Sequence, residues 1–212
     1  MIKKKKSIIV SMAFLCCLSA FAQSDFKEKT VFKNNEAEIR QLDEHTWHGN
    51  GHVVYNESVY LVEGDTAAIL IDAGTYIPGL RKIVEDMVKK PVTLVLTHGH
   101  NDHAGLAINE WEKMWISEGD KGMIPANLRD RLQFLKNGQI FDLGNRKIEV
   151  VFTPGHTRGS VTFIDRDKHY GFSGDSFGSG NLLVFTDLST EIKGCESMIP
   201  VIEKYDLKYL YP

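Results

Sequence analysis

Cysteine is almost missing from this chain. There are three in 212 residues, and two of them, Cys16 and Cys17, fall in the N-terminal segment, which leaves Cys195 by itself. A disulfide framework is excluded for the rest of the chain, and Cys195, with no ligand-type neighbour in sequence, reads as a small semi-buried apolar residue. Positive charge is also short, with 25 Lys+Arg against 28 Asp+Glu and a net charge of −3. No basic patch is visible, which argues against a nucleic-acid partner. The long apolar run lies at the very start. Lys3–Lys6 form a positive segment, Ser7 to Ser19 is mostly apolar, and Ala20-Phe21-Ala22 precedes Gln23. This pattern is that of a secretory signal peptide over residues 1–22, too short to be a comfortable membrane span. Phe14-Leu15-Cys16 lacks the small residues expected before a lipidated Cys17. The reading is of an exported bacterial protein starting at Gln23, periplasmic, with no stable membrane insertion. Loss of Lys3–Lys6 takes Lys+Arg from 25 to 21 against 28 acids, a net charge of −7.

What is present is concentrated in one stretch. Val92 to Leu96 is a β-branched, apolar run that reads as a buried strand, and it breaks at Thr97 into His98-Gly99-His100-Asn101-Asp102-His103. On extended backbone His98 and His100 point the same way, whereas the adjacent Asp102 and His103 diverge and need a turn. Neutral imidazole and carboxylate are the ligands that a divalent metal such as zinc takes, at ~2.0–2.2 Å. Two imidazoles aimed one way and a carboxylate–imidazole pair aimed another suit two neighbouring ions.

Around this stretch the chain alternates. Residues 23–52 read as a polar arm or a short first strand, in which His45, Trp47, His48 and His52 are surface or loop residues, one or two of them candidates for a cleft. The globular domain is assigned to 53–212. Val53–Val62 and Thr66–Ile71 read as strands joined by Glu63-Gly64-Asp65, the second apolar enough to be covered on both faces. Asp72 is a cap or a residue that holds a ligand His in place. Tyr76–Lys90 reads as a helix with Leu80, Ile83, Val84, Met87 and Val88 on one face. Leu106–Trp111 is expected to be helical and Lys113–Ile116 a strand. Ser117–Gly138 reads as an irregular insertion, a candidate lid, in which Met123 and Phe134 either touch substrate or pack beneath the loop. Short strands follow, and two end in ligand-type residues. Phe152-Thr153-Pro154-Gly155-His156-Thr157-Arg158-Gly159-Ser160 places one imidazole after a rigid turn, and Tyr170-Gly171-Phe172-Ser173-Gly174-Asp175 places a carboxylate.

The string His-x-His-x-Asp-His, followed in order by Thr-Pro-Gly-His-Thr-x-Gly-Ser and Gly-Asp, resembles the signature of the metallo-β-lactamase-fold hydrolases. The resemblance runs from about Val53 to the end. It implies an α/β four-layer αββα sandwich with ligands on loops at one edge. It implies that His98, His100 and His156 hold a first metal and Asp102 and His103 a second, with Asp175 bridging. Two zinc ions are expected, iron or manganese being the less favoured cofactors. One departure stands out: Lys208-Tyr209-Leu210-Tyr211-Pro212 reads as the last strand, and no His follows it. This implies a fragment, or a chain without the last ligand and the final helix over its second sheet.

With two metals, the pKa of water falls from 15.7 to about 7, so hydroxide is available at neutral pH to attack a carbonyl or phosphoryl centre. Asp102, the candidate catalytic residue, orients that nucleophile or receives its proton. Asp175 stands where one subclass of lactamases has Cys, and no Lys follows closely to grip a lactam carboxylate. The chain has no room for the extra glutathione-binding domain of glyoxalase-II-type enzymes, and no basic arms as in nuclease relatives. The expected activity is zinc-dependent hydrolysis of a small ester, thioester, lactone or amide. The alternatives are a β-lactamase, an iron-binding redox relative, and a non-catalytic metal-binding protein.

Overall fold

The computed structural model describes residues 28–52, 58–177 and 182–212. The expected signal peptide and lipidation site, and the first part of the expected strand 53–62, lie outside them. Two mixed sheets carry the architecture. The first has eight strands in sequential order: β1 (Lys29–Lys33), β2 (Ala37–Asp43), β3 (Thr46–Gly51), β4 (Ser58–Glu63), β5 (Ala68–Ile71), β6 (Val92–Val95), β7 (Met114–Ile116) and β8 (Leu132–Phe134). It is an antiparallel meander up to β5 and parallel from β5 to β8. The second holds β9 (Ile140–Asp142), β10 (Lys147–Phe152), β11 (Val161–Asp165), β12 (Tyr170–Phe172) and β13 (Tyr209–Tyr211). Its order is β13-β12-β11-β10-β9, with β13 parallel to β12 and the other pairs antiparallel.

Three apolar layers follow from the two-residue period of the strands. On β5, Ala68 and Leu70 face a cluster with Leu80, Val84 and Val88 of helix α1 (Leu80–Val88). Ile69 and Ile71 face the other way, onto Ile148, Val150, Val161, Phe163 and Phe172 of the second sheet. Beyond that sheet, Val151 and Ile164 meet Met198 and the flanking Cys195, Val201 and Ile202 of helix α2 (Leu188–Tyr205). The order helix, sheet, sheet, helix is thus written in the contacts, and β5 is buried on both faces as expected.

Several expectations are corrected. The polar segment before residue 53 is not a loose arm: between residues 29 and 51 it forms β1 to β3, where exposed polar faces of an antiparallel meander hide the strand pattern. Its His48 stacks on Tyr60 at 5.2 Å and pairs with Ser58 at 3.0 Å, and burial lowers its pKa. α1 begins at Leu80, not Tyr76, because Pro78 disfavours helix at Ile77 and Gly79 takes φ 74°. The Glu110 carboxylate caps it by accepting from the amides of Gly79 (2.7 Å) and Arg81 (2.8 Å). The expected helix after the metal motif is a 3₁₀ segment, Leu106–Glu110. The second sheet does carry a helix on its outer face. That helix, α2, precedes the last strand and was not anticipated; it contains Pro200, which read by itself is a helix breaker. Its start is capped by Asp187, whose carboxylate accepts from the Thr190 amide at 2.9 Å. Among the described residues no helix is long and apolar enough to cross a membrane.

One buried ion pair ties the sheets together away from the ligand edge. Arg146, 4% exposed, donates to the fully buried Asp165 at 2.6 Å and reaches the first sheet through the His45 carbonyl (2.9 Å) and Thr46 Oγ1 (2.7 Å). Arg146→Met strands the Asp165 charge and is expected to cost about 3–5 kcal/mol in urea unfolding. The double variant with Asp165→Leu should recover part of that loss.

Candidate metal centre

The ligand-type residues all leave strands at their carboxyl ends. Asp72 follows β5, His98 to His103 follow β6, His156 follows β10 and Asp175 follows β12. The loops of the two sheets are joined directly, as the Val161 amide donates to the Thr97 carbonyl at 2.9 Å.

Three imidazole nitrogens converge. His98 Nε2 lies 3.1 Å from His100 Nδ1, which lies 2.9 Å from His156 Nε2. A second group shares His98 and adds His103 and Asp175. One Asp175 oxygen is 3.2 Å from His103 Nε2 and the other 3.4 Å from His156 Nε2, so the carboxylate stands between the groups. Two nitrogens bound to one tetrahedral ion at ~2.0–2.1 Å are separated by about 3.3 Å, so the donor set suits a divalent cation. Orientation agrees. His156 Nδ1 faces the Leu183 carbonyl at 2.7 Å, which can only accept, so Nδ1 carries the proton and Nε2 presents its lone pair to the cluster. Burial, reinforced by the neighbouring imidazoles, holds His98 well below the usual pKa, in the neutral form a metal requires.

His103 behaves differently. Burial would depress its pKa, but Asp72 at 2.8 Å and Asp175 outweigh that and hold it at about 10. The Asp175 carboxyl is lowered: burial opposes ionisation, and the His103 hydrogen bond and charge overcome it. Asp72 accepts from the Thr97 amide and hydroxyl, both at 2.7 Å, and so takes the role of holding a ligand His in place. Asp102 lies outside both close groups of ligand atoms among the described residues. It lines the cavity over them, about 350 Å³, with Thr75, His100, Asn101, His156, Asp175, Leu183 and Phe185.

Three residues of consequence were not anticipated. Leu183 and Phe185 form one wall of the cavity; a four-residue apolar run ahead of the Thr186-Asp187 cap was their only signal. Asp120, 1% exposed, comes from the segment that looked like a lid. Its carboxylate accepts from the Gly99 amide (2.9 Å), Thr157 Oγ1 (2.6 Å) and the Gly159 amide (2.8 Å), clamping the two His-bearing loops together. A side chain at Gly159 would fall within 2.6 Å of Asp120, so the close approach requires glycine. The segment is therefore anchored: Ile124, Leu128 and Leu132 are buried beneath it, and Phe134 packs against the same core. Neither Met123 nor Phe134 lines the cavity, and neither do His45, Trp47, His48 or His52.

The chain belongs to the metallo-beta-lactamase superfamily, whose family model matches residues 52–203. Among individual proteins it is similar to the human acyl-coenzyme A thioesterase MBLAC2, 27% identical over 69% of this chain and 68% of that one. It is also similar to the hydroxyacylglutathione hydrolase GloC of Haemophilus influenzae, 32% identical over 54% of this chain and 63% of that one. A solved metallo-beta-lactamase from Pontibacter korlensis shares the fold, with TM-score 0.66 at 21% identity over 84% of this chain and 90% of that one. The chain is a metal-dependent hydrolase of this superfamily.

Two measurements probe the centre. Asp120→Asn turns an amide group toward backbone donors, and it should weaken metal binding about 10–100-fold in chelator competition while the circular dichroism spectrum is kept. His103 is protonated at pH 7.5, and a cation on its Nε2 needs the neutral ring. Metal loading should therefore release a proton, and affinity at that site should rise by roughly tenfold per pH unit toward pH 10. Titration calorimetry in two buffers of different ionisation enthalpy counts the proton; a count of zero would contradict the assignment.

Proposed function

We propose that this chain is an exported, zinc-dependent thioesterase. The observation that carries the reading is the convergence of His98, His100 and His156, two of which, His100 and His156, line the cavity. His98, His100 and His156 would hold one zinc, and His103 and Asp175 would contribute to a second, with Asp175 between the two. A set of imidazoles with one carboxylate favours zinc over the harder cations, although it also accommodates iron. When bound, such a cation lowers the pKa of water and polarises a carbonyl oxygen.

The chain's own residues do the rest. Asp102 stands on the cavity wall, where it can orient the nucleophile and take its proton. Asp72 fixes the His103 ring, and Asp120 keeps His100 and His156 in one constellation, which makes the geometry available before substrate arrives. The leaving thiol needs little help, so a general acid is less necessary than for an amide. Both related enzymes are named for acyl groups carried on thiol compounds, coenzyme A in one and glutathione in the other. That favours a thioester among the ester, thioester, lactone and amide substrates the centre could serve. Export rests on Lys3–Ala22 and places the activity in a bacterial periplasm.

Purified mature protein should contain zinc by elemental analysis and release thiol from acyl thioesters. His98→Ala should lose the metal and lower kcat/KM by on the order of 10³-fold, equivalent to about 4 kcal/mol of barrier. Retention of full activity without metal would overturn the reading. Cell fractionation, with the N-terminus read at Gln23, checks the export.

A further inference from the structure

The cavity has an apolar side, and that side is built rather than loose. Leu183 is 48% and Phe185 65% exposed, flanked by Leu182 at 57% and Leu188 at 61%. Of the eleven large hydrophobic residues exposed among the described residues, these four fall within seven positions. Apolar side chains left in water as a group mark a binding surface. The segment is pinned at three points to the loop that bears His156. His156 Nδ1 donates to the Leu183 carbonyl (2.7 Å), the Phe185 amide to the His156 carbonyl (3.1 Å), and Thr186 Oγ1 to the Gly155 carbonyl (2.6 Å). The Phe185 ring stands edge-on to His100 and His156, with centroids 5.1 and 5.2 Å away. Whatever lies against Phe185 is therefore in contact range of the reacting centre.

We propose that this wall receives the aliphatic part of the acyl group, so that the substrate is a thioester of a medium or long hydrocarbon acid and Leu183 and Phe185 set its chain-length preference. The inference rests on the thioesterase reading above. The choice between the two halves of a thioester comes from charge. Coenzyme A and glutathione are anionic, and the described cavity lining contains neither Lys nor Arg to meet them, while it does contain Asp102 and Asp175. The anionic thiol half is directed to solvent and the hydrocarbon to the wall. Because the backbone bonds fix the wall in advance, little ordering cost is left for substrate binding.

The test is a chain-length series of acyl thioesters from four to eight carbons, followed by thiol release on the zinc-loaded mature protein. Full burial of a methylene gives about fourfold and a half-open wall about twofold, so kcat/KM should rise roughly sixteenfold over the four added methylenes. The double variant Leu183→Ser with Phe185→Ser should flatten the rise to within about twofold, and Phe185→Leu should restore most of it. Leu183 is about half exposed and Phe185 about two-thirds, and neither belongs to a buried core cluster, so the fold is expected to be kept. A rise that survives the double variant overturns the inference. So does a dimer in sedimentation that the double variant dissociates without changing the rise, which would make the wall a contact between two copies. If no thioester of any length is cleaved, the functional reading fails, and binding of butanoate and octanoate to the zinc-loaded chain judges the wall separately. Octanoate bound about sixteenfold tighter, with the difference lost in the double variant, supports the wall; equal affinities overturn it.

Discussion

Asp72 ends β5 in the left-handed backbone region, at φ 63°, a conformation that costs an L-residue roughly 1–2 kcal/mol. Its carboxylate is 2% exposed, and a buried charge is tolerated only when its lone pairs are filled. The Thr97 amide, the Thr97 hydroxyl and the His103 ring fill them. The dependence runs both ways. The donors stabilise the acid, and the acid fixes the backbone just before His98 and the ring orientation of His103. Thr97 in turn accepts a hydrogen bond from Val161 of the second sheet, so a single carboxylate sets the relation between the ligand loops and both sheets.

The site built on that acid is costly for the bare polypeptide. His100 Nδ1 lies 3.1 Å from His98 Nε2 and 2.9 Å from His156 Nε2, which crowds donor nitrogens together, and burial drives His98 toward neutrality. Such an arrangement persists only when the surroundings over-determine it. Here three apolar layers hold the strands, and Asp120 fastens the loops from beneath with donors drawn from both. The segment carrying Asp120 is consequently part of the foundation of the centre and is unsuited to open as a lid. A cation with two positive charges is the species that turns this crowding of donors into attraction.

Legibility in the sequence followed the range of the interactions involved. The ligand residues could be read because each sits at a strand end in a short motif, and β5 could be read because burial on both faces makes it continuously apolar. The α1 face, Leu80, Val84 and Val88, followed from spacing, whereas its start depended on Pro78 and Gly79 overriding a periodic pattern. β1 to β3 were hidden because strands with a solvated face carry polar residues such as Lys33, Glu38 and Arg40. Asp120 could not be found at all. Its partners Gly99, Thr157 and Gly159 lie 21 to 39 positions away, and nothing local distinguishes it from an acid in a solvated turn. α2 is a different case: Cys195, Met198, Ile202 and Tyr205 keep helical spacing and Asp187 is a clear cap, but Pro200 within the segment reads locally as a helix breaker.

The coupling between the apolar wall and the metal centre has a consequence for how each could change. His156 presents Nε2 to the cluster because the Leu183 carbonyl occupies Nδ1, and that carbonyl is held in place by the Phe185 and Thr186 bonds to the same loop. The backbone of the wall therefore decides a tautomer at the centre, while its side chains face the cavity. Substitutions at Leu183 or Phe185 alter what the cavity holds and leave the donor nitrogen untouched. An insertion or deletion between Leu183 and Thr186 shifts the carbonyl and frees the imidazole to turn. This division lets one scaffold vary its substrate by side-chain replacement, provided the length of this short segment is kept.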